Sequence, residues 1–139
     1  ENLYLDSQSR TYVEETGGAN LLFVTEDGTL VVPKSHTDSI LPSITRRSLV
    51  QVAQDLGMTV DERPVKWEEV KSGAFVECGL CGTAAVISPV GEIHEDEDVV
   101  VFPAGHDEMG PVMTKLRETL TGIQEGAVED KHGWVFKIQ

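Results

Sequence analysis

Short apolar runs separated by turn residues occupy most of the chain, and they predict more strands than helices. The clearest prediction is a hairpin within residues 11–32, where the turn Glu26-Asp27-Gly28 joins two apolar runs. Asp-Gly closes such turns because glycine adopts positive φ at little cost. Further strands are expected at residues 1–6, 58–65, 75–77 and 84–90.

Two longer segments repeat apolar residues at helical spacing. The first follows a loop at residues 33–39 and ends at Gly57, and the second runs from about Pro111 to Gly126. Proline suits the first turn of a helix and glycine suits its end, which supports these boundaries. The expected apolar faces consist of Leu49, Val52, Ala53 and Leu56 in the first helix and of Val112, Leu116, Leu120 and Ile123 in the second.

Strands and helices are mixed without a repeated βαβ unit. Residues 67–71 predict a further short helix, and residues 92–98 predict a charge-rich loop. This order favours an α+β (mixed α/β) fold over a doubly wound sheet. The 139 residues are enough for one domain with its own core, so residues 1–139 are expected to form a single domain.

The charge of the chain restricts its partners. Lys and Arg total 11 against 24 Asp and Glu, a net charge of -13, so nucleic acid and anionic membrane surfaces would be repelled. No apolar stretch is long enough to span a bilayer, and no signal-peptide pattern opens the chain, which favours a cytoplasmic location. Cys78 and Cys81 form a lone C-x-x-C without a second ligand pair, so buried cysteines are expected rather than a metal site.

The segment Leu41-Pro42-Ser43-Ile44-Thr45-Arg46 places a tight turn against the first helix. Backbone N–H groups at a helix N-terminus have no intrahelical partner, and the helix dipole favours an anion there. The hydroxyl groups of Ser43 and Thr45 and the charge of Arg46 could add to such a site. Ser43 is equally typical of an ordinary N-cap, and most capped helices bind nothing.

Two other segments carry chemistry. In Cys81-Gly82-Thr83-Ala84-Ala85, small residues allow close approach to the backbone, and successive N–H groups can form an anion nest. A glycine bend inside a sheet explains the same residues. The segment at residues 14–20 places two carboxylates before Gly17-Gly18, which is also typical of a solvated loop.

Taken in order, the three segments resemble the fold-type IV pyridoxal-phosphate enzymes, and among them the branched-chain amino-acid aminotransferases. The resemblance continues through Gly110-Pro111, residues 120–126 and His132-Gly133-Trp134. It implies the cofactor pyridoxal 5'-phosphate, a homodimer, and transfer of the amino group of leucine, isoleucine or valine to 2-oxoglutarate. The expected partners are therefore branched-chain amino acids, 2-oxo acids and glutamate.

The resemblance also implies roles for single residues. Glu15 resembles the carboxylate that pairs with the pyridine nitrogen of the cofactor, and Leu41 resembles the residue that packs on its ring. The N–H groups of Ile44 and Thr45, with the Thr45 hydroxyl, resemble one half of the phosphate cradle, and Thr83 resembles the other half. The N–H groups of Thr83 and Ala84 resemble those that receive the substrate carboxylate, so the predicted site residues are Glu15, Leu41, Ile44, Thr45, Thr83 and Ala84.

Three departures from the family pattern are informative. Ser43 stands where the family usually has glycine, which would strain the site if it needed positive φ. Gly79 stands where many relatives carry an aromatic residue. The lysine that forms the Schiff base with the cofactor lies upstream of residues 3–6 in this family, so none of Lys34, Lys66, Lys71, Lys115, Lys131 and Lys137 corresponds to it.

We therefore expect the 139 residues to be the C-terminal, cofactor-binding part of a larger two-domain enzyme, without a catalytic lysine and without transaminase activity of their own. Two alternatives remain open. The chain could be a non-catalytic module that binds a phosphate ligand or a partner chain. It could also belong to another fold-type IV enzyme, such as a D-amino-acid aminotransferase or an aminodeoxychorismate lyase.

Overall fold

The computed structural model describes residues 1–139 and contains nine strands and three helices. The strands are β1 (Leu3–Leu5), β2 (Val13–Thr16), β3 (Asn20–Thr25), β4 (Leu30–Pro33), β5 (Val60–Arg63), β6 (Phe75–Gly82), β7 (Val86–Val90), β8 (Glu92–Glu95) and β9 (Asp98–Val101). The helices are α1 (Ile44–Asp55), α2 (Trp67–Lys71) and α3 (Pro111–Glu125). This composition confirms the predicted α+β class.

Seven strands form one mixed sheet, and β8 and β9 form a separate hairpin. Strand β3 is central because it pairs with β2, β4 and β6, and β7 extends the sheet beyond β6. All of these pairs are antiparallel, whereas β4 and β5 run parallel and are joined through α1. A parallel pair needs such a crossover because a tight turn can only reverse the chain.

The sheet has a hydrophobic core on each face. Side chains of β3 alternate between them, with Leu22 and Val24 on one face and Leu21 and Phe23 on the other. Helices α1 and α3 cover the first face, while α2 and residues around Val100 and Phe102 cover the second. A strand buried on both faces reads as a continuous apolar run, which is what residues 21–24 show in the sequence.

The structure confirms the hairpin of β3 and β4, whose turn contains Gly28 at φ 86. Helix α3 begins at Pro111 and ends at Gly126, which has the left-handed conformation of a glycine C-cap at φ 79. Helix α1 ends at Asp55, one residue before its C-cap Leu56. Leu56 was expected on the apolar face but is 39% exposed, because the chain leaves the helix there.

Two further expectations about elements were wrong. The charge-rich residues 92–98 form most of the β8–β9 hairpin rather than a loop, since main-chain pairing from Glu92 with Val101 to Glu95 with Asp98 holds polar residues in strands. The strand expected from residue 84 begins at Val86, because residues 83–85 form the turn between β6 and β7.

Both cysteines are buried, as expected. They lie three residues apart on β6, so Cys78 packs in one core and Cys81 in the other. A disulfide or a shared metal would require both sulfur atoms on one side of the sheet. Burial raises the pKa of the Cys78 thiol, and it raises that of Cys81 to about 12.

No helix has the length and apolar character needed to cross a membrane.

Gly79 lies on the face of β6 that α1 and α3 cover. A Cβ at this position would lie 2.9 Å from Ile87 Cγ2 and 3.0 Å from Met113 Sδ. The absent side chain thus lets α3 pack closely on β6 and β7. An aromatic side chain at this position would meet α3 here.

Candidate functional site

The three segments singled out in the sequence meet at one cavity of about 400 Å³. Its walls are the turn between β2 and β3, the residues that lead into α1, and the end of β6 with the turn that follows. A volume of this size is typical of a small-molecule site. The lining residues are Glu15, Thr16, Gly17, Gly18, Ala19, Asn20, Leu41, Pro42, Ser43, Ile44, Cys81, Gly82 and Thr83.

Glu15 supplies the only carboxylate in the cavity wall. It is half-buried on β2 and pairs across the tight turn with Asn20 on β3. Its Oε2 atom accepts hydrogen bonds from Asn20 Nδ2 at 3.2 Å and from the backbone N–H of Leu41 at 3.1 Å. The Oε1 atom receives no hydrogen bond from the protein, so one carboxylate oxygen is fixed and the other is free for a ligand.

The N-terminus of α1 forms the second wall. Ser43 caps the helix at φ -101, and its Oγ accepts the N–H of Arg46 at 3.1 Å. The residue is in the extended region, so the strain expected from replacing glycine does not arise. The N–H groups of Ile44 and Thr45 have no intrahelical acceptor, because they belong to the first turn. Two backbone donors thus remain available at the positive end of the helix dipole.

Leu41 and Ile44 present apolar side chains beside these donors. They are 70% and 72% exposed, although their backbone is held in place. The carbonyl of Leu41 accepts a hydrogen bond from Asn20 Nδ2 at 3.4 Å, and its N–H is bound to Glu15. Exposed apolar side chains on a fixed backbone suit contact with a flat ring.

The turn between β6 and β7 forms the third wall. Gly82 approaches the β2–β3 turn, since a Cβ on it would lie 3.9 Å from the carbonyl oxygen of Gly18. Thr83 and Ala84 follow as exposed turn residues. Val86 closes the turn at φ 62, which is unusual for a β-branched residue. Backbone strain beside a cavity is often retained because it holds functional groups in position.

Of the predicted site residues, Glu15, Leu41, Ile44 and Thr83 line the cavity. Thr45 lies next to Ile44 on the first turn of α1, and Ala84 lies next to Thr83, but neither lines the cavity. We therefore expect Thr45 and Ala84 to contact a ligand only through atoms that reach the edge of the cavity.

Arg46 does not line the cavity. Its Nη1 donates to the carbonyl of Pro33 at 3.4 Å, and its side chain lines a separate depression beside Lys34 and Glu62. Arg46 projects from α1 toward the end of β4, and its charge also reaches Cys81 of the cavity lining, where it opposes the rise in the pKa of that thiol. No lysine or arginine side chain lines the cavity, so the donors that face a ligand there include the backbone N–H groups at the helix N-terminus.

The structure also shows supporting residues that the sequence did not reveal. Glu14 is only 8% exposed and accepts the Thr37 hydroxyl at 3.0 Å, and the ring of Tyr12 stacks on His36 at 4.9 Å. Adjacent carboxylates on β2 thus hold residues 34–43, Glu14 through Thr37 and Glu15 through Leu41. Asn20 was recognised as part of a motif but not as a partner of Glu15. Its place directly after a glycine turn was the available signal.

No lysine lines the cavity. The groups that face a ligand are one carboxylate, backbone N–H donors, the Thr83 hydroxyl and apolar side chains. This set can bind a phosphate at the helix N-terminus and a protonated ring nitrogen at Glu15, but it contains no amine to act as a nucleophile or base.

Comparison with known proteins agrees with this geometry. A model of the amino-transferase class IV family matches residues 1–93. The probable branched-chain-amino-acid aminotransferase of Staphylococcus epidermidis is 47% identical over 141 residues, which cover 98% of this chain and 38% of that protein. The branched-chain-amino-acid aminotransferase of Haemophilus influenzae is 44% identical over 138 residues, which cover 99% and 39%.

Solved structures show the same relationship. The branched-chain amino acid aminotransferase of Escherichia coli superposes with a TM-score of 0.79 at 34% identity, covering 95% of this chain and 40% of that one. The enzyme from Thermobaculum terrenum, solved in its PLP-form, gives a TM-score of 0.74 at 32% identity over 90% of this chain and 37% of its own. This chain thus spans about two fifths of these relatives. With the family match across all three walls of the cavity, the chain belongs to the amino-transferase class IV family.

Proposed function

We propose that the cavity binds pyridoxal 5'-phosphate and that the chain is the cofactor-binding part of a branched-chain amino-acid aminotransferase. The observation that carries this proposal is the convergence of Glu15 and Ile44, whose unpaired N–H group belongs to the first turn of α1, on one cavity. The two groups match the two charged ends of the cofactor, a pyridine nitrogen and a phosphate.

The residues present fit this cofactor. Oε1 of Glu15 has no protein donor, so it can accept a hydrogen bond from a protonated ring nitrogen without breaking an existing bond. The N–H groups of Ile44 and Thr45, the Thr45 hydroxyl and the Thr83 hydroxyl can bind phosphate oxygens. Leu41 can cover the ring. A phosphate held by backbone donors needs no lysine or arginine, which agrees with the position of Arg46 outside the cavity.

The bound cofactor would supply a conjugated ring that accepts the electron pair released at the α-carbon of the substrate. Glu15 would keep the ring nitrogen protonated, because an anionic partner favours the charged form. The N–H groups of Thr83 and Ala84 would orient the substrate carboxylate at the turn between β6 and β7. These are binding and orienting roles, and the lysine of the reaction would lie upstream of the residues described.

The whole enzyme is proposed to transfer the amino group of leucine, isoleucine or valine to 2-oxoglutarate as a cytoplasmic homodimer. Its substrates would be branched-chain amino acids, 2-oxo acids and glutamate. Similarity to enzymes of this name along almost the whole chain supports this choice over other class IV activities. A related branched-chain amino acid aminotransferase was solved in complex with 4-methylvaleric acid, which has a branched aliphatic chain.

Isothermal titration of the 139-residue chain with pyridoxamine 5'-phosphate tests the cofactor site. This probe lacks an aldehyde, so surface lysines cannot trap it. We expect one binding site, and Glu15→Gln should weaken binding by about tenfold or more because a charge-assisted hydrogen bond is lost. Glu97→Gln is the matched control, since Glu97 is exposed and lies outside the cavity. Equal affinities for the Glu15→Gln and Glu97→Gln variants would contradict the proposed role of Glu15.

The reaction is tested with the chain joined to a lysine-bearing upstream domain. We expect transamination of leucine, isoleucine and valine with 2-oxoglutarate, and no turnover by the 139 residues alone. A preference for D-alanine would assign the protein to another class IV enzyme. Cofactor binding without turnover of any amino acid by the longer protein would favour a non-catalytic module.

A further inference from the structure

The side chain of Asn20 is placed between the two halves of the proposed site. It is 5% exposed and projects from the first residue of β3. Its Nδ2 atom lies 3.2 Å from Glu15 Oε2 and 3.4 Å from the carbonyl oxygen of Leu41. One amide group therefore contacts both the carboxylate of β2 and the segment that leads into α1.

The contacts of Asn20 select one orientation of the Glu15 carboxylate. Asn20 Nδ2 and the Leu41 N–H both bind Oε2, so this oxygen is directed toward the protein and Oε1 is left for a ligand. Without these donors the carboxylate could rotate about its terminal bond, which is a soft torsion. Fixing it in advance lowers the entropy that must be lost when a ligand binds.

From these contacts we propose that Asn20 is a positioning residue, which holds Glu15 in the orientation that receives the cofactor ring nitrogen. This inference rests on the proposed function of the cavity. Asn20 lines the cavity, but both hydrogen bonds of its Nδ2 atom end on protein groups, so this amide nitrogen acts on a ligand through Glu15. Its effect should therefore be specific to ligands that use Glu15 and should be small for ligands held only by their phosphate.

Two ligands separate these possibilities. Pyridoxamine 5'-phosphate carries both the phosphate and the ring nitrogen, whereas benzyl phosphate carries the phosphate on a ring without nitrogen. The donors for the phosphate belong to α1, which is capped by Ser43 and packed through Leu49, Val52 and Ala53. Asn20 makes no hydrogen bond to Ile44, Thr45 or Thr83, so benzyl phosphate reports on the phosphate donors separately from Glu15.

The test compares Asn20→Asp with Asn2→Asp in the 139-residue chain by isothermal titration. Aspartate has the shape of asparagine but lacks its donor and repels Glu15. We expect Asn20→Asp to weaken pyridoxamine 5'-phosphate by about tenfold and benzyl phosphate by no more than about twofold. Asn2→Asp adds the same charge at an exposed residue outside the cavity and should change neither affinity.

Equal losses of affinity for both ligands in Asn20→Asp would overturn the inference, because they would show that Asn20 supports the segment leading into α1 in general rather than Glu15 in particular. Unchanged affinities in Asn20→Asp would overturn it as well. If the folded parent chain binds neither ligand, both the proposed function and this inference fail. If the parent chain binds both ligands and Asn20→Asp loses equal affinity for each, only the inference fails.

A measurement on the parent chain keeps the inference testable if Asn20→Asp does not fold. The side-chain amide protons of Asn20 should shift in the NMR spectrum when pyridoxamine 5'-phosphate binds, because Glu15 then shares its charge with the ligand. Benzyl phosphate should leave them in place. Asn20 resonances that do not move with pyridoxamine 5'-phosphate, or that move equally with both ligands, would contradict a role through Glu15.

Discussion

Among single residues, Asp6 has the densest set of hydrogen bonds. Its carboxylate is fully buried at the end of β1 and closes the turn to β2. It accepts the N–H groups of Tyr12, Ser9 and Thr11 and the Ser9 hydroxyl, at distances between 2.6 and 2.8 Å. The hydrogen bond from the Tyr12 N–H is the main reason that the pKa of Asp6 lies well below its usual value, and the bonds from Ser9 and Thr11 add to it against the opposing effect of burial.

This lowered pKa predicts how stability depends on pH. A carboxylate whose pKa is lower in the folded state stabilises it above the unfolded value of about 3.9, and the contribution is lost as pH falls toward the folded pKa. We expect Asp6→Asn to be less stable than the parent near neutral pH, with a difference that shrinks as the solution is acidified. Thermal unfolding followed by circular dichroism between about pH 6 and pH 2 measures this difference.

Asp98→Asn is a suitable control because Asp98 is exposed on β9. Its unfolding temperature should stay parallel to that of the parent across the same range. If the difference between Asp6→Asn and the parent stayed constant with pH, the ionised Asp6 would not be the source of the stability.

At the level of elements, the N-terminus of α3 is held by a residue of another element. Glu77 on β6 is 2% exposed, and its two oxygens accept the N–H groups of Val112 at 3.1 Å and Met113 at 3.0 Å. Gly110 has no side-chain cap, and a Cβ there would overlap with the Glu77 carboxyl group. Glycine is therefore required at position 110, because a buried carboxylate occupies the space of a side chain there.

We expect Glu77→Gln to destabilise the fold by roughly 1–3 kcal/mol, since an amide nitrogen would face a backbone N–H and the helix dipole would lose its anion. Urea unfolding gives the free energy directly. Glu118→Gln removes an exposed carboxylate from the same helix and should change stability by less than about 0.5 kcal/mol. A loss for Glu77→Gln no larger than that for Glu118→Gln would show that the carboxylate is not the cap.

The accuracy of the sequence predictions followed how local each signal was. Gly28, Pro111 and Gly126 act within one turn, and the elements that they bound are confirmed. The β8–β9 hairpin was missed because its strands carry charged residues and are stabilised by main-chain pairing. The orientation of Arg46 was also missed, since it depends on a carbonyl of Pro33 that the fold brings near α1.

The same distinction between local signals and long-range contacts applies to the candidate site. Its three segments were identified from residue types and order, and they meet at one cavity. The links between the segments join residues far apart in the chain, such as Glu15 with Leu41 across 26 positions. Periodicity carries no information on such pairs, so the sharing of Glu15 Oε2 by Asn20 and Leu41 became visible only in the folded chain.

The charge of the whole molecule bears on ligand binding. A net charge of -13 repels a phosphate ligand over long distances, although the helix N-terminus attracts it at contact. The repulsion acts through solvent and is screened within about 8 Å at 0.15 M salt, whereas the hydrogen bonds in the cavity are screened much less. Added salt should therefore weaken the long-range repulsion by the net charge more than the short-range attraction at the helix N-terminus.

We expect the affinity for pyridoxamine 5'-phosphate to rise about twofold to fivefold when sodium chloride increases from about 20 mM to about 150 mM. Most phosphate sites built from lysine and arginine show the opposite trend, because salt weakens their direct ion pairs. Titration with pyridoxamine, which lacks the phosphate and carries a protonated amine, is the control, and its affinity should fall with salt because the net charge of -13 attracts it. An affinity for the phosphate ligand that falls steadily with salt would mean that charged side chains, rather than backbone donors at α1, supply the main attraction.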